Sequence, residues 1–363
     1  MILTIIIAIV SLVLLIILHE LGHFLLAKKF GIKVEEFGIG YPPRLFGKKF
    51  GETIYSINLL PLGGFVRIYG HEKRIKDSRS FSEKPIWQRA LVILGGVISF
   101  WIIAAILLSI VMYMGVPTQI EDNQNDNLVN PRVQIIAVVQ GSPAESAGIK
   151  LGDSVKSIEF ENESISISKV KELQEFTETY RGQEITLGIE RGKEIFETSL
   201  VPRESFPEGQ GPIGISLVRT SIKSYPWYEA PVRGVIATVN LTATVVKGWG
   251  MTIASLVQGQ GVPDGIEVKG PVGIFELFAQ MGSLGVGYFL RFMALISISL
   301  ALLNVLPIPA LDGGWLMFII IEKIRGKAVT QKVEQRITVF FFLLLISLMI
   351  YVTIKDVIHL FVK

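Results

Sequence analysis

The sequence predicts a polytopic α-helical membrane protein with four transmembrane helices and an α+β domain inserted between the second and the third. Two observations carry this reading. Half of the 363 residues are hydrophobic, and they are gathered in long runs rather than spread along the chain. The basic residues collect in two of the segments between runs, whereas the segment between the second and third runs turns polar without that bias.

Ile2 to Leu18, Ala90 to Ile120 and Ile337 to Ile354 contain no charged residue, and Phe292 to Ile321 contains only Asp312. A bilayer core requires about twenty apolar residues per helix, which these runs meet or approach. The expected spans are 1–28, 90–116, 290–322 and 337–361. The first run lacks a basic start and a small-x-small cleavage site, so it is expected to remain as a span rather than be removed as a signal peptide. Cysteine is absent, which excludes a disulfide framework and any thiolate metal site.

Between Lys28 and Arg89 the basic residues outnumber the acids about two to one, and the loop holding Lys323, Arg325, Lys327, Lys332 and Arg336 is also basic. Basic loops stay on the cytoplasmic side, so the inserted domain and both termini are expected outside, in an inner (cytoplasmic) membrane. This bias accounts for the positive charge without a nucleic-acid partner. Gly234 to Val262 is apolar apart from Lys247. A crossing there would put the two basic loops on opposite sides, so 229–265 is expected to be an amphipathic helical region on the outer interface.

His19-Glu20-Leu21-Gly22-His23 ends the first run. Histidines four apart share one helical face, one turn above the other, and can hold one metal ion. Glu20 projects near that face, where it can take a proton from a metal-bound water and return it to a leaving amine. Ionisable side chains inside an apolar run are costly unless compensated. A catalytic zinc usually takes a third protein ligand. His71 lies in the charged loop and His359 near the far end of the last span, so neither suits. Asp312 does: it stands in Asn304-Val-Leu-Pro307-Ile-Pro309-Ala-Leu-Asp312-Gly-Gly314, where prolines and glycines should break the helix. Unwound backbone within a membrane implies a polar cavity. His23 lies five residues before Lys28 and Asp312 ten before Glu322, so at about 1.5 Å per residue both fall in the cytoplasmic half.

With these motifs in this order, the whole chain closely resembles the site-2 protease family of intramembrane zinc metalloproteases, in the bacterial branch typified by the regulator of sigma-E protease. The resemblance implies that His19, His23 and Asp312 bind zinc, that Glu20 is the catalytic acid and base, and that Asn304 lies near substrate. It also implies substrate-binding roles in the basic loop for Phe37-Gly38-Ile39-Gly40 and for Leu60-Pro-Leu-Gly63-Gly64-Phe65-Val66, within 29–89. Ser56 to Leu59 and Phe65 to Ile68 read as short strands about a Pro/Gly turn, a membrane-associated, re-entrant β-hairpin whose edge can hold an extended peptide.

Gln140 to Val155 resembles the bacterial PDZ signature: Ser142 caps a short helix starting at Pro143, and Gly148 ends it. Ser168 to Tyr180 reads as the longer PDZ helix, followed by strands near 184–190 and 195–201. One PDZ domain fits, at 131–217, where the sigma-E type carries two. Gly211 to Ile215 reads equally as a peptide-binding loop or an ordinary strand end. The implied activity is endoproteolysis of the transmembrane segments of single-span proteins, such as an anti-sigma factor or a remnant signal peptide. The competing reading is a non-catalytic membrane scaffold that binds partners through its PDZ domain and keeps a structural metal.

Overall fold

A computed structural model describes residues 2–361 except 125–127, 162, 193, 208–209, 260 and 262–269. Four of its helices are long and apolar enough to cross a membrane: α1 (Ile2–Lys29), α2 (Ile86–Met114), α7 (Val286–Val305) and α9 (Gln331–Phe361). At 1.5 Å per residue, α2 is about 43 Å long and exceeds a hydrocarbon core. Between them lie β1 (Val34–Phe50), β2 (Thr53–Ile68), an inserted β-rich domain, α5 (Ala230–Val257), α6 (Pro271–Leu284) and α8 (Asp312–Arg325).

Helices α1 and α2 approach closely because glycine faces glycine. A Cβ on Gly95 would lie 2.8 Å from the Gly22 carbonyl oxygen, and a Cβ on Gly22 would strike the Gly95 carbonyl. Leu15, Val97, Phe100, Phe278, Met293 and Ala301 join α1, α2, α6 and α7 in one apolar cluster. The surfaces of α9 are mostly exposed, as suits a helix solvated by lipid.

The expected hairpin is a larger device. Glu36↔Arg67 to Ile39↔Gly64 and Arg44↔Asn58 to Phe50↔Thr53 are antiparallel, while Glu36↔Ile54 to Ile39↔Ile57 gives the same β1 residues a second set of partners. The two strands thereby fold into short segments ordered 44–50, 53–60, 34–41, 64–68, with corners at Pro42-Pro43 and Pro61 to Gly63. A carboxylate braces this sheet from inside: Glu36, 2% exposed, accepts from Arg44 (2.7 Å) and Ser56 (2.7 Å) and pairs with Arg67 (3.2 Å). Its tip turns back to α1, where Lys28 donates to Glu52 at 2.6 Å and Arg79 joins the same carboxylate.

The inserted domain contains β3 (Val116–Ile120), β4 (Arg132–Val138), α3 (Pro143–Ser146), β5 (Ser154–Phe160), β6 (Glu163–Ser166), α4 (Val170–Thr179), β7 (Ile185–Arg191), β8 (Glu194–Leu200) and β9 (Ile215–Lys223). Its strands run β3-β9-β4-β5-β7-β8, with β6 beside β5. Ser142 caps α3 by accepting from the Glu145 amide (3.2 Å), and Gly148 follows at φ 74°. Val133, Ile135, Val155, Ile158, Leu173, Leu187 and Ile189 form its core.

Three boundaries differ from expectation. The sheet extends beyond 131–217 to include β3 and all of β9. The cause is that Val116 to Ile120 has no ionisable residue and reads as more of the preceding span. The third span starts at Val286 and divides into α7 and α8, because Pro307 and Pro309 hold the intervening backbone extended. In 229–265, α5 does not simply lie apart from the bundle: Ala230, Gly234 and Thr238 bury one face, and a Cβ on Gly234 would lie 2.6 Å from the Ser109 amide of α2. Alanine, glycine and threonine at four-residue spacing allow this close approach.

Candidate metal centre

His19 and His23 occupy one face of α1, each 7% exposed. The surrounding side chains fix both rings. His23 Nδ1 donates to the Val92 carbonyl oxygen (2.9 Å), which leaves the Nε2 lone pair pointing inward. His19 stacks on Phe100, with ring centroids 4.5 Å apart and planes at 21°. Gly96 of α2 makes room for both imidazoles, since a Cβ there would lie 2.7 Å from His19 Cε1 and would collide with His23.

Asp312 arrives from the other side as the first residue of α8. The chain leaves α7 at Leu306 (φ −60°, ψ 140°), passes the two prolines and re-enters a helix at Asp312. Such a return requires glycine: a Cβ on Gly314 would lie 2.5 Å from the Ile308 carbonyl oxygen, and one on Gly313 would strike the Leu306 carbonyl. The carboxylate therefore sits at a helix N-terminus, where the peptide dipoles favour a negative charge.

Three ligand atoms converge. His19 Nε2 lies 3.2 Å from Asp312 Oδ2, His23 Nε2 lies 3.4 Å from the same oxygen, and the two Nε2 atoms are 3.2 Å apart. Donors at 2.0–2.1 Å from a tetrahedral zinc would stand roughly 3.3 Å from one another, so the triangle has the size that zinc requires. Asp312 Oδ2 is buried with no hydrogen-bond partner among the described residues. Two imidazoles and a carboxylate are also the donor types of catalytic zinc. The residues present fit the metal, and they leave its remaining position to solvent or substrate.

Glu20, half-buried, faces β2: a Cβ on Gly64 would lie 3.8 Å from Glu20 Cγ. Most of the other sequence-predicted site residues gather at this corner. Gly38 pairs with Phe65 and Ile39 with Gly64. Gly40 (φ 77°) and Gly63 (φ 134°) hold left-handed turns, Gly40 accepting from Asn58 Nδ2 (3.1 Å) and Gly63 facing Ile16 of α1. Asn304 is placed in the last turn of α7, but its amide donates to Leu300 of its own helix (2.9 Å) rather than to the triangle.

Sequence reasoning passed over the Val92 carbonyl, Phe100 and Gly96. The signal for the last was present as Gly95-Gly96 within a run of bulky apolar residues. His71, set aside as a ligand, is indeed absent from the triangle, yet it is close by. Its ring packs on Trp315, one turn beyond Asp312 (centroids 4.2 Å), and on Phe81 (4.8 Å). Burial, reinforced by His23, pushes its pKa down to about 4. Nearby, Arg89 donates two bonds to Glu322 (3.0 and 2.6 Å) and ties α2 to α8.

The model of Peptidase family M50 matches residues 7–348. The chain belongs to this family, the site-2 proteases. This M50 peptidase is thus a zinc metalloprotease, and the His19, His23 and Asp312 triangle is where its donor set fits the metal. Its relatives are similar over nearly their full length. A Clostridium acetobutylicum protein, provisionally named as a zinc metalloprotease, is 34% identical over 357 residues, covering 98% of this chain and 97% of the relative. The regulator of sigma-W protease RasP of Bacillus subtilis is 28% identical over 433 residues, covering 96% of each chain. Zinc metalloprotease RasP of Shouchella clausii is 29% identical over 432 residues, covering 96% of this chain and 97% of the relative.

Proposed function

We propose that this M50 peptidase hydrolyses peptide bonds inside the membrane, in the transmembrane segments of single-span proteins. The observation that carries the reading is the convergence of Asp312, just beyond the span α7, on His19 and His23, with Glu20 adjacent, in α1, a helix apolar enough to span a bilayer. When bound there, zinc supplies Lewis acidity toward the scissile carbonyl and a water acidic enough to attack at neutral pH. Glu20 would act as the base toward the attacking water and then as the acid that protonates the leaving amine. Gly38, Gly40, Gly63, Gly64 and Phe65 form the corner that receives the substrate. The 64–68 segment pairs on one side only among the described residues, and its other edge offers backbone groups to an unwound substrate strand. Hydrolysis requires that unwinding, because a helix hides its peptide bonds in its own hydrogen bonds. Asn304 approaches the substrate when its amide turns from Leu300.

The basic hairpin and the loop before α9 face the cytoplasm in this reading, and the inserted domain, of PDZ type, lies outside together with both termini. The name of the Bacillus subtilis relative supports a substrate of the anti-sigma-factor class, and remnant signal peptides share the same single-span chemistry. The complete donor set argues against a scaffold with a vestigial site. The deciding experiment compares Glu20→Gln with the wild type in detergent, on a single-span model substrate with zinc present. The expected result is a rate lower by about 10² to 10⁴ with zinc content unchanged. Undiminished cleavage would remove Glu20 from the chemistry.

A further inference from the structure

If Gly211 to Ile215 is a peptide-binding loop, the strand that it opens is β9, and a peptide would add to the edge of β9 beside α4. One side of β9 is taken by β4. The other is taken by β3, from Val116↔Lys223 to Ile120↔Arg219. Only Gly115 separates β3 from the end of α2, at φ 108°.

Beyond Ile120 the chain stays on the same path. Arg219, 5% exposed, donates through Nη1 to the carbonyls of Glu121 (3.3 Å), Asp122 (3.0 Å) and Gln124 (2.8 Å), and through Nε to that of Ser168 (2.8 Å). The Asp122 carboxylate accepts from the Val170 and Lys171 amides (3.1 and 2.9 Å), the first two of α4. Residues 116–124 therefore cover the strand edge and close the N-terminal end of the helix beside it. On that side, 215–218 has no strand partner among the described residues.

We propose that residues 116–124 are the resident occupant of this edge. The inserted domain then takes no extended peptide along 219–223 of β9, and its sheet is fused to α2 through Gly115 so that the two move as one body. Displacing the segment would break a five-residue ladder, uncap α4 and leave a buried guanidinium without its carbonyls. No partner peptide restores all three. The inference is independent of the catalytic reading.

The test uses the full-length protein in detergent. Because the chain lacks cysteine, Gln119→Cys with Thr220→Cys, opposed in the ladder, can be oxidised into one disulfide that locks β3 onto β9. The probe is a fluorescein-labelled decapeptide ending in Ala-Ala-Val with a free carboxylate, followed by anisotropy. The expected results are efficient cross-linking, a peptide anisotropy that oxidation leaves unchanged, and cleavage of a model substrate within about twofold of the reduced form. Failure to cross-link would overturn the proposal. So would peptide binding that oxidation abolishes and reductant restores, or a loss of cleavage of about tenfold or more on oxidation that reductant reverses. In Arg219→Ala, the amides of 116–124 should exchange at least about tenfold faster than in the wild type, and unchanged exchange would show that Arg219 does not hold the segment. The peptide and exchange readouts need neither zinc nor Glu20, so their failure would leave the proposed catalysis standing.

Discussion

Gly96 of α2 lies so close to His23 of α1 that a single added methyl group would occupy the space of the imidazole Nε2. The metal triangle thus depends on a residue that donates nothing to it. Gly96→Ala is expected to displace both histidines and weaken zinc binding by about 10- to 100-fold, the range seen when the support of a ligand is lost. Ile98→Ala, on the exposed face of the same helix, should keep wild-type zinc content. Metal analysis after dialysis against a graded zinc buffer measures both. Full zinc occupancy in Gly96→Ala would show that the helices separate at no cost to the site.

Removing the metal should destabilise the fold as well as stop catalysis. His19, His23 and Asp312 come from α1 and α8, so zinc held by them, as proposed, would join elements that are far apart in sequence. A ligand that binds only the folded state stabilises it by about 2.7 kcal/mol at one hundred times its dissociation constant. A chelator is expected to lower the melting temperature of the wild type, and added zinc to restore it. Asp312→Asn should melt near the chelated value and respond to neither reagent. A melting temperature indifferent to chelation in the wild type would mean that the three side chains hold together without the ion.

The parts legible in the sequence were those in which chemistry and hydropathy conflict. His19, Glu20, His23 and Asp312 stand out because each interrupts an apolar run, and the prolines before Asp312 announce the break that turns its carboxylate inward. Residues whose role is to make space or lend a carbonyl carry no such conflict, so Val92 and Gly96 passed as ordinary helix. β3 was hidden for a related reason: its five residues continue the hydropathy of α2, and only Pro117 hints that the helix has ended. The double partnering of Glu36 to Ile39 was also out of reach, because it arises from folding both strands at their proline corners, whereas alternation reports only one partner.

Glu36 should be a principal determinant of hairpin stability. Its carboxylate is 2% exposed and is held by Arg44, Ser56 and Arg67, the arginine side chains being 45% and 49% exposed. Removing one partner of a buried pair costs 3–5 kcal/mol, but half-exposed arginines recover hydration, so Glu36→Ala is expected to cost about 2 kcal/mol. Glu36→Gln keeps the Ser56 bond and should cost less. The measurement is thermal unfolding together with limited proteolysis in the basic hairpin. Wild-type protease resistance in Glu36→Ala would assign the stability of the sheet to its backbone ladder alone.

His71 should make the fold sensitive to mild acid. Burial against Trp315 and Phe81 depresses its pKa to about 4 from the ordinary imidazole value of 6.5. Between these two values the unfolded chain binds a proton that the folded one refuses, so stability falls as pH falls from about 6.5 and the loss is complete below about 4. Glu72, Arg74, Arg89, Glu322 and Glu334 line the same small cavity, and His23 adds to the depression while Asp312 opposes it. Glu52 acts in a lower window. The Lys28 and Arg79 hydrogen bonds hold its pKa below 4.5, so its contribution is present above that value and is lost only as pH drops through its folded pKa. Melting temperatures of the wild type and of His71→Phe, which preserves the aromatic packing, should therefore diverge between pH 6.5 and 5, with the variant falling less steeply. Parallel curves over that interval would show that His71 takes up its proton in the folded protein as readily as in the unfolded chain.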